Sequence, residues 1–295
     1  MKLLIVDTQG EQISEAFKKL LPGLELIGHE MAETRGTPCH EHGSFCGWLS
    51  GVPLVVVGGH HEVHFARIFD QQAREVVNSD QWLLDLIAQL RPDVISRSWG
   101  LWDQDSELGA MAGRIMYGDW VSEYVKLQAD IGFVDFGAAG NEDELDADND
   151  VAFPQQLMPD VSNIIGACRR DGVPTEWSSD GDGVQCVMWG DKIWSPDQNG
   201  LFRLWSGTSA ATPKAAGACA ASGLFNLSWR EAVIQTADKP YGAELPHPKY
   251  GFGCMEEAWQ KFARIAPAAI MPPHSVLGVS SASVTPEFME FRRLR

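Results

Sequence analysis

The stretch SGTSAATP, from Ser206 to Pro213, places one serine, Ser209, among small residues and follows it four positions later with a proline. A serine hydroxyl is a weak nucleophile, and it becomes catalytic only beside a base that a third group orients. Taken alone, the stretch is more typical of a turn. Its meaning therefore depends on whether the rest of the chain supplies a base, an acid and a fold that brings them together.

Short apolar runs alternate with amphipathic segments along the chain, and this alternation predicts the fold class. Strands are predicted at KLLIV (2–6), LELIGH (24–29), PLVVVG (53–58), EVHFARIF (62–69), DVISRS (93–98), GFVDFGAAG (132–140) and VSNIIGA (161–167). Helices are predicted at EQISEAFKKL (11–20), SDQWLLDLIAQL (79–90), GRIMYGDWVSEYVKLQAD (113–130), SAATPKAAGACAASGLF (209–225), WREAVIQTA (229–237) and CMEEAWQKFARI (254–265). Repeated strand–helix units indicate a three-layer α/β fold, with a mostly parallel sheet and helices on both faces.

Composition and charge exclude some classes of binding partner. The 295 residues carry a net charge of −17, which repels nucleic acid and anionic membrane surfaces and favours basic peptides or cations. The sequence contains no uncharged apolar run of the roughly 20 residues that a spanning helix needs. We therefore expect no nucleic-acid partner and no membrane partner.

Candidate partners for Ser209 follow predicted strands or open glycine-flanked turns. Asp7 ends the first apolar run, and a lone carboxylate in that place is unusual. His42 opens HGSFCG, and Asn141 follows the strand that ends in FGAAG. Because ligand sites in parallel sheets form beyond the carboxyl ends of the strands, these side chains are expected near one another.

Six segments, in order along the chain, resemble landmarks of the subtilases, the subtilisin-like serine peptidases. The segments are VDTQG (6–10), HGSFCG (42–47), SRSWG (96–100), AAGNE (138–142), GTSAATPKAAG (207–217) and YGFGCMEEAW (250–259). Each match is weak alone, but the acid–histidine–serine order is that of subtilisin. The resemblance implies a serine endopeptidase that hydrolyses peptide bonds through an acyl-enzyme.

The resemblance also implies a role for each residue. Ser209 attacks the scissile carbonyl, His42 is the base, and Asp7 orients His42. Asn141 and the backbone N–H of Ser209 bind the oxyanion. Pro213 is expected in the first turn of a helix that begins near the serine, where its missing N–H has no cost.

The same resemblance places the substrate along two strand ends. Its predicted binding residues are Ser98, Trp99, Gly100, Ala138, Ala139 and Gly140. A peptide is expected to add as a strand along the edge 98–100. Trp99 either narrows a substrate pocket or packs in the core, and the sequence leaves both interpretations open.

Several positions depart from the family pattern. They are Ala210, Lys214, Ser44, the pair Cys46–Gly47, and Gln9, which is an extra residue in the aspartate motif. None of them removes a catalytic group. Only six residues precede Asp7, so a catalytically quiet or partner-activated subtilase-fold protein is the alternative, with an activating or inhibitory protein as partner. We expect the peptidase domain over 1–264 and a C-terminal extension over 265–295.

Two other sites were considered from the residues. Ser209, Asp238 and His247 follow the serine–acid–histidine order of α/β-hydrolases, but Ala211 replaces the second glycine of their motif. CHEH (39–42) and HHEVH (60–64) carry zinc-ligand types, although His61 and His64 would face opposite sides of a strand. We therefore predict no catalytic metal.

The remaining predictions concern cofactors and compartment. No cofactor is required for the chemistry, while structural calcium is possible because this family often binds it through oxygen ligands. NEDELDADND (141–150) is a solvated acidic loop or a border of the substrate pocket that favours basic residues. Six scattered cysteines and the absence of a secretory signal indicate free thiols and a cytoplasmic location, whereas an oxidising compartment would allow Cys39 to pair with Cys46.

Overall fold

The structure is a computed structural model. It describes residues 1–70, 76, 79–100, 107–141, 151–181, 183–223, 229, 231, 237, 247 and 251–255, with the backbone alone for 107–114 and 116. The acidic residues 142–150, Asp238 and the extension 265–295 lie outside this set, as do nearly all residues of the helices predicted over 229–237 and 254–265.

Seven parallel strands form the central sheet. They are β1 (Lys2–Asp7), β2 (Leu24–Glu30), β3 (His61–Arg67), β4 (Val94–Arg97), β5 (Val134–Ala138), β6 (Ser162–Cys168) and β7 (Val184–Trp189). Their order across the sheet is β2-β3-β1-β4-β5-β6-β7. Strands β4, β5 and β6 are buried along their whole length, as strands covered on both faces should be. A separate antiparallel pair consists of β8 (Ile193–Pro196) and β9 (Phe202–Trp205).

Helices cover both faces of the sheet. They are α1 (Glu15–Lys18), α2 (His42–Val57), α3 (Ser79–Leu90), α4 (Glu107–Ile131) and α5 (Thr208–Ser222), with a short 3-10 helix at Gln155–Leu157. Alternate residues of β1 belong to two different cores. Leu3 and Ile5 pack with α2 and α5, whereas Leu4 and Val6 pack with α3 and α4. The predicted three-layer α/β fold is therefore confirmed.

One predicted strand is wrong. PLVVVG (53–58) supplies the last turn of α2, which runs on to Val57. Its β-branched residues favour a strand locally, but the helix that starts at His42 buries one side of this segment, including Leu54, in the core. Val56 and Val57 lie at the exposed end of the helix. Tertiary burial therefore overrides the local preference.

The two helices that carry the candidate site are in direct backbone contact. A β-carbon at Gly217 of α5 would lie 2.4 Å from the carbonyl oxygen of Ser50 in α2, so only glycine permits this approach. His42 is the first residue of α2, and Ser209 is the second residue of α5. The close crossing therefore fixes the position of one candidate residue relative to the other.

No described helix is both long enough and apolar enough to cross a membrane.

Candidate active site

Asp7 and His42 form a buried, hydrogen-bonded pair. Asp7 is the last residue of β1, and its side chain reaches the first residue of α2. The Nδ1 atom of His42 lies 2.7 Å and 2.8 Å from the two carboxylate oxygens of Asp7. The backbone N–H of Thr8 donates to the same carboxylate over 2.7 Å. In this geometry the Nδ1–H of His42 donates to the Asp7 carboxylate, and Nε2 of His42 faces away from Asp7.

The charge of Asp7 controls the protonation of His42. Burial is the largest influence on the pKa of His42 and lowers it, but the Asp7 carboxylate opposes burial, and the net change in this pKa is upward. The pKa of His42 therefore lies well above its usual value of 6.5. Burial and Asp7 also raise the pKa of the Cys46 thiol, so Cys46 is neutral and Asp7 supplies the charge that matters.

Ser209 lies at the N-terminal end of α5, and it is 5% exposed. Its hydroxyl donates a hydrogen bond to the carbonyl oxygen of Ser98 over 3.0 Å. Cys46 joins this residue to the histidine, because its sulfur lies 3.8 Å from His42 Nδ1 and 3.5 Å from the carbonyl oxygen of Ser209. The serine, the histidine and the acid are thus brought into one buried cluster.

Pro213 does not lie in the first turn of α5, and that prediction is wrong. Helix α5 begins at Thr208, so Pro213 is its sixth residue. A proline at this place cannot donate to the carbonyl four residues earlier, which is that of Ser209. The thiol of Cys46 donates to this carbonyl instead.

Asn141 is held by the start of α5. Its Oδ1 atom accepts hydrogen bonds from the backbone N–H and the hydroxyl of Thr208, over 2.8 Å and 3.0 Å. Gly140, with φ of 127°, adopts a backbone conformation that glycine favours, and its N–H donates to the Thr208 hydroxyl. Because Oδ1 accepts both bonds from Thr208, the Nδ2 group is directed elsewhere as a donor.

Two nitrogen atoms that can donate lie close together beside Gly207. A β-carbon at Gly207 would lie 3.5 Å from Nδ2 of Asn141 and 3.5 Å from the backbone nitrogen of Ser209. The Ser209 N–H belongs to the first turn of α5, where backbone donors have no partner within the helix. A helix N-terminus also favours negative charge. An anion that reaches both nitrogen atoms would therefore be stabilised here.

A small cavity opens next to these donors. Its lining consists of Ser98, Trp99, Gly100, Ala138, Gly140, Asn141, Ala152, Thr208 and Ser209. Five of the six residues predicted to bind substrate are among them. Ala139, the sixth, packs in a buried apolar cluster with Val151 and Ile164. The indole of Trp99 is 3% exposed and packs edge-to-face on Phe69, so this side chain belongs to the core as well as to the cavity wall.

Several residues that complete the site are not among the predicted site residues. Cys46 lies one helical turn after His42, a spacing that places both on one face of α2. The ring of Trp205 in β9 packs against His42, with 5.4 Å between ring centroids. Thr208, Ala152 and Gln155 carry no local signal, because their partners are far away in sequence.

Two groups of possible metal ligands occur among the described residues. One is Asp7, His42 and Cys46, and the other is Glu25, His60 and Glu62, which are more exposed. HHEVH does not gather its histidines at one point. His61 contacts the Gly58 carbonyl, and His64 contacts His29 and Glu62.

All six cysteines are free and buried. Cys39 and Cys46 are therefore not paired in this structure.

The chain is similar to one protein family and to several solved structures. The model of the subtilase family matches residues 41–253. No curated protein matches the chain. Among solved structures, a cold-adapted subtilisin-like serine proteinase is similar with a TM-score of 0.63 and 18% identity, covering 86% of this chain and 88% of that one.

Two further solved structures share the fold. A lanthipeptide protease has a TM-score of 0.66 and 14% identity, covering 90% of this chain and 87% of that one. The prenylagaramide maturation protease PagA has a TM-score of 0.59 and 16% identity, covering 81% and 83%. Identities this low establish the fold alone, whereas the family model spans more than two thirds of the chain. The predicted resemblance is confirmed, and the chain belongs to the subtilase family of serine peptidases.

Proposed function

We propose that the chain is a serine endopeptidase that cleaves polypeptides through an acyl-enzyme on Ser209. The observation that carries this proposal is the joint placement of three groups. Asp7 holds Nδ1 of His42, Ser209 lies at the start of α5, and Asn141 Nδ2 and the Ser209 nitrogen lie near the same point beside Gly207.

The first half of the reaction forms the acyl-enzyme. The Ser209 hydroxyl turns from the Ser98 carbonyl toward His42 Nε2, and its oxygen attacks the carbonyl carbon of the peptide bond. The proton passes to His42, while the negative oxygen accepts hydrogen bonds from Asn141 and the Ser209 N–H. The carbon–nitrogen bond then breaks, and His42 gives the proton to the leaving amine.

The second half restores the enzyme. A water molecule loses a proton to His42 as it attacks the acyl carbon, and the ester bond to Ser209 breaks. His42 returns the proton to the serine oxygen, and the carboxylic acid product leaves. Asp7 stays ionised throughout, since its task is to fix the tautomer and stabilise the imidazolium.

Peptide binding itself favours this exchange of hydrogen bonds. A substrate strand along 98–100 brings its own N–H groups to this edge, and one of them can donate to the Ser98 carbonyl. The Ser209 hydroxyl holds that carbonyl in the free protein. An incoming peptide therefore competes for this acceptor and releases the hydroxyl for His42.

The test uses a fluorophosphonate probe on the full chain, with the labelled residue located by mass spectrometry. We expect label on Ser209 and none on the Ser209→Ala variant. The matched control is Ser206→Ala, which removes an exposed serine that hydrogen-bonds Asp191. It should label normally. A folded, monodisperse chain without label would contradict the proposal and would favour the catalytically quiet alternative.

A second assay separates internal from terminal cleavage. An unfolded protein such as reduced casein is digested, and the cut positions are read by mass spectrometry. Internal cuts that disappear in Ser209→Ala are the expected result. If only terminal residues of the substrate are removed, the endopeptidase assignment is contradicted. The proposed reaction of Ser209 with a peptide bond would still hold.

A further inference from the structure

Gln155 joins the two walls of the cavity beside Ser209. Its side-chain Nε2 donates to the Trp99 carbonyl over 2.5 Å and to the Ala138 carbonyl over 3.2 Å. Trp99 belongs to the wall 98–100, and Ala138 begins the wall 138–141. Both partners are carbonyl oxygens, so only the NH₂ end of the amide can face them.

These hydrogen bonds occur where the sheet stops holding the walls together. The parallel pairing of β4 with β5 runs from Val94 and Val134 to Arg97 and Gly137. Beyond that register residues of both segments line the cavity. Gln155 bridges them with side-chain donors at this point, so its amide sets the distance between the walls.

The backbone around Gln155 is built to admit it. A β-carbon at Gly137 would lie 2.5 Å from Cγ of Gln155, whereas one at Gly100 would first meet the β-carbon of Ala152, at 2.5 Å. Gly137 is the last paired residue of β5 and directly precedes the wall 138–141. A larger residue there would crowd the Gln155 side chain at the start of that wall.

The buried amide of Gln155 also lowers stability in one respect, which an apolar side chain of the same size would not. Gln155 is 0% exposed, and its Oε1 atom has no hydrogen-bond partner among the described residues. A buried acceptor without a partner lowers stability, typically by about 1–3 kcal/mol. Methionine would fill similar volume without that cost, but it would leave the Trp99 and Ala138 carbonyls without these donors, so the contribution of glutamine here is the link between the two walls.

We propose that Gln155 is a positioning residue that determines which side chain the peptidase accepts immediately before the cut bond. This inference rests on the proposed function. Gln155 does not touch the reacting atoms. It holds the Trp99 and Ala138 carbonyls at a fixed separation, and the cavity between them receives the substrate side chain.

The test compares Gln155→Met with the unmodified full chain. Gln155→Met keeps the volume and removes both donors, and Gln156→Met is the matched control at the neighbouring, half-buried position. Each protein is incubated with the fluorophosphonate probe in the presence of peptide boronates that differ only in the residue before the boron. Protection of Ser209 then ranks these residues, and it requires no turnover. Circular dichroism and thermal unfolding check that each variant folds.

In Gln155→Met we expect the ratio between the best and the worst boronate to shrink by about tenfold, a size reached when contacts in a specificity pocket change. Labelling without competitor should stay within about threefold of the unmodified chain, because the small probe does not depend on the walls. A role confined to stability would lower the unfolding temperature and leave the ranking unchanged.

Three results would overturn the inference. One is an unchanged ranking in a folded Gln155→Met variant, and another is an equal change in Gln156→Met. If Gln155→Met does not fold, Gln155→Glu replaces it, since the carboxylate keeps the shape of the amide but repels the Trp99 and Ala138 carbonyl oxygens. An unchanged ranking of the boronates in Gln155→Glu would also overturn the inference. The third, absence of label in the unmodified chain, would overturn the proposed function and this inference together, whereas the first two leave the function intact.

Discussion

The thiol of Cys46 donates a hydrogen bond to the backbone carbonyl of Ser209, with 3.5 Å between sulfur and oxygen. The contact crosses from α2 to α5, and it supplies the donor that Pro213 cannot give four residues after the serine. It also places the sulfur 3.8 Å from His42 Nδ1. A departure from the family pattern at position 46 and a proline within α5 are therefore two parts of one local arrangement.

This relationship predicts an energetic coupling between Cys46 and Pro213. Cys46→Ala should lower the free energy of unfolding by about 1–3 kcal/mol, because it leaves the buried Ser209 carbonyl without a donor. Pro213→Ala restores a helical N–H for that carbonyl, so the double variant should lose less than Cys46→Ala does. Urea unfolding in a Ser209→Ala background, which prevents self-digestion, measures both. Additive effects, with a coupling below about 0.5 kcal/mol, would contradict the arrangement.

The Asp7–His42 pair predicts the acid side of the pH–rate profile. His42 acts as a base only when neutral, and its pKa lies above 6.5. Activity, measured as kcat/KM, should therefore rise with pH through a midpoint above 6.5 and be lost below it.

Asp7→Asn removes the charge that raises this pKa and leaves burial, which lowers it. We expect the midpoint to move to lower pH, while kcat falls by about 10⁴-fold because the tautomer is no longer fixed. Asp130→Asn is the control, since this exposed carboxylate pairs with Arg91. An unmoved midpoint in Asp7→Asn would show that the profile reports another group.

The position of Asn141 predicts that its substitution slows the chemical step and leaves substrate binding nearly unchanged. Asn141→Asp keeps an acceptor for Thr208 and loses the Nδ2 donor, whereas Asn141→Ala loses both. Each should lower kcat by about 10²–10³-fold with little change in KM, a magnitude known for the oxyanion asparagine of subtilisin. Thermal unfolding should separate them, because only Asn141→Ala frees the Thr208 N–H. A rise in KM without a fall in kcat would assign Asn141 to substrate binding instead.

The contact between α2 and α5 predicts opposite outcomes for two glycine substitutions. Gly217→Ala places a methyl group 2.4 Å from the Ser50 carbonyl, so the helices must move apart. We expect about 1–3 kcal/mol of destabilisation together with a fall in kcat, because His42 and Ser209 lose their alignment. Gly118→Ala in α4 meets open space and should raise stability by up to about 1 kcal/mol. Urea unfolding measures the stability of both variants, and kcat measures their activity. A Gly217→Ala variant as stable and active as the unmodified chain would refute the role of the contact.

Much of the site could be predicted because its residues mark the ends of regular elements. Asp7 closes β1, Ser98 follows β4, and His42 and Ser209 begin helices. Polar residues at such places interrupt apolar patterns, so they can be recognised from the sequence. The parallel order of the strands then brings their carboxyl ends to one edge of the sheet.

Other features have no local pattern to reveal them. The apolar run 53–58 has a strand-like composition, and only burial beside α5 makes it the end of α2. The start of α5 also depends on Asn141, which accepts the first N–H of the helix and so places Pro213 in its interior.

The sequence by itself determined the alternation of strands and helices, the chain order of the candidate acid, histidine and serine, and the family. Periodicity and strand ends are properties of neighbouring residues, so a linear chain displays them. The tertiary structure alone decided that Cys46 supports Ser209 and that Gln155 spans Trp99 and Ala138. These contacts join residues 163, 56 and 17 positions apart, and their hydrogen bonds exist only after the sheet has brought distant segments together.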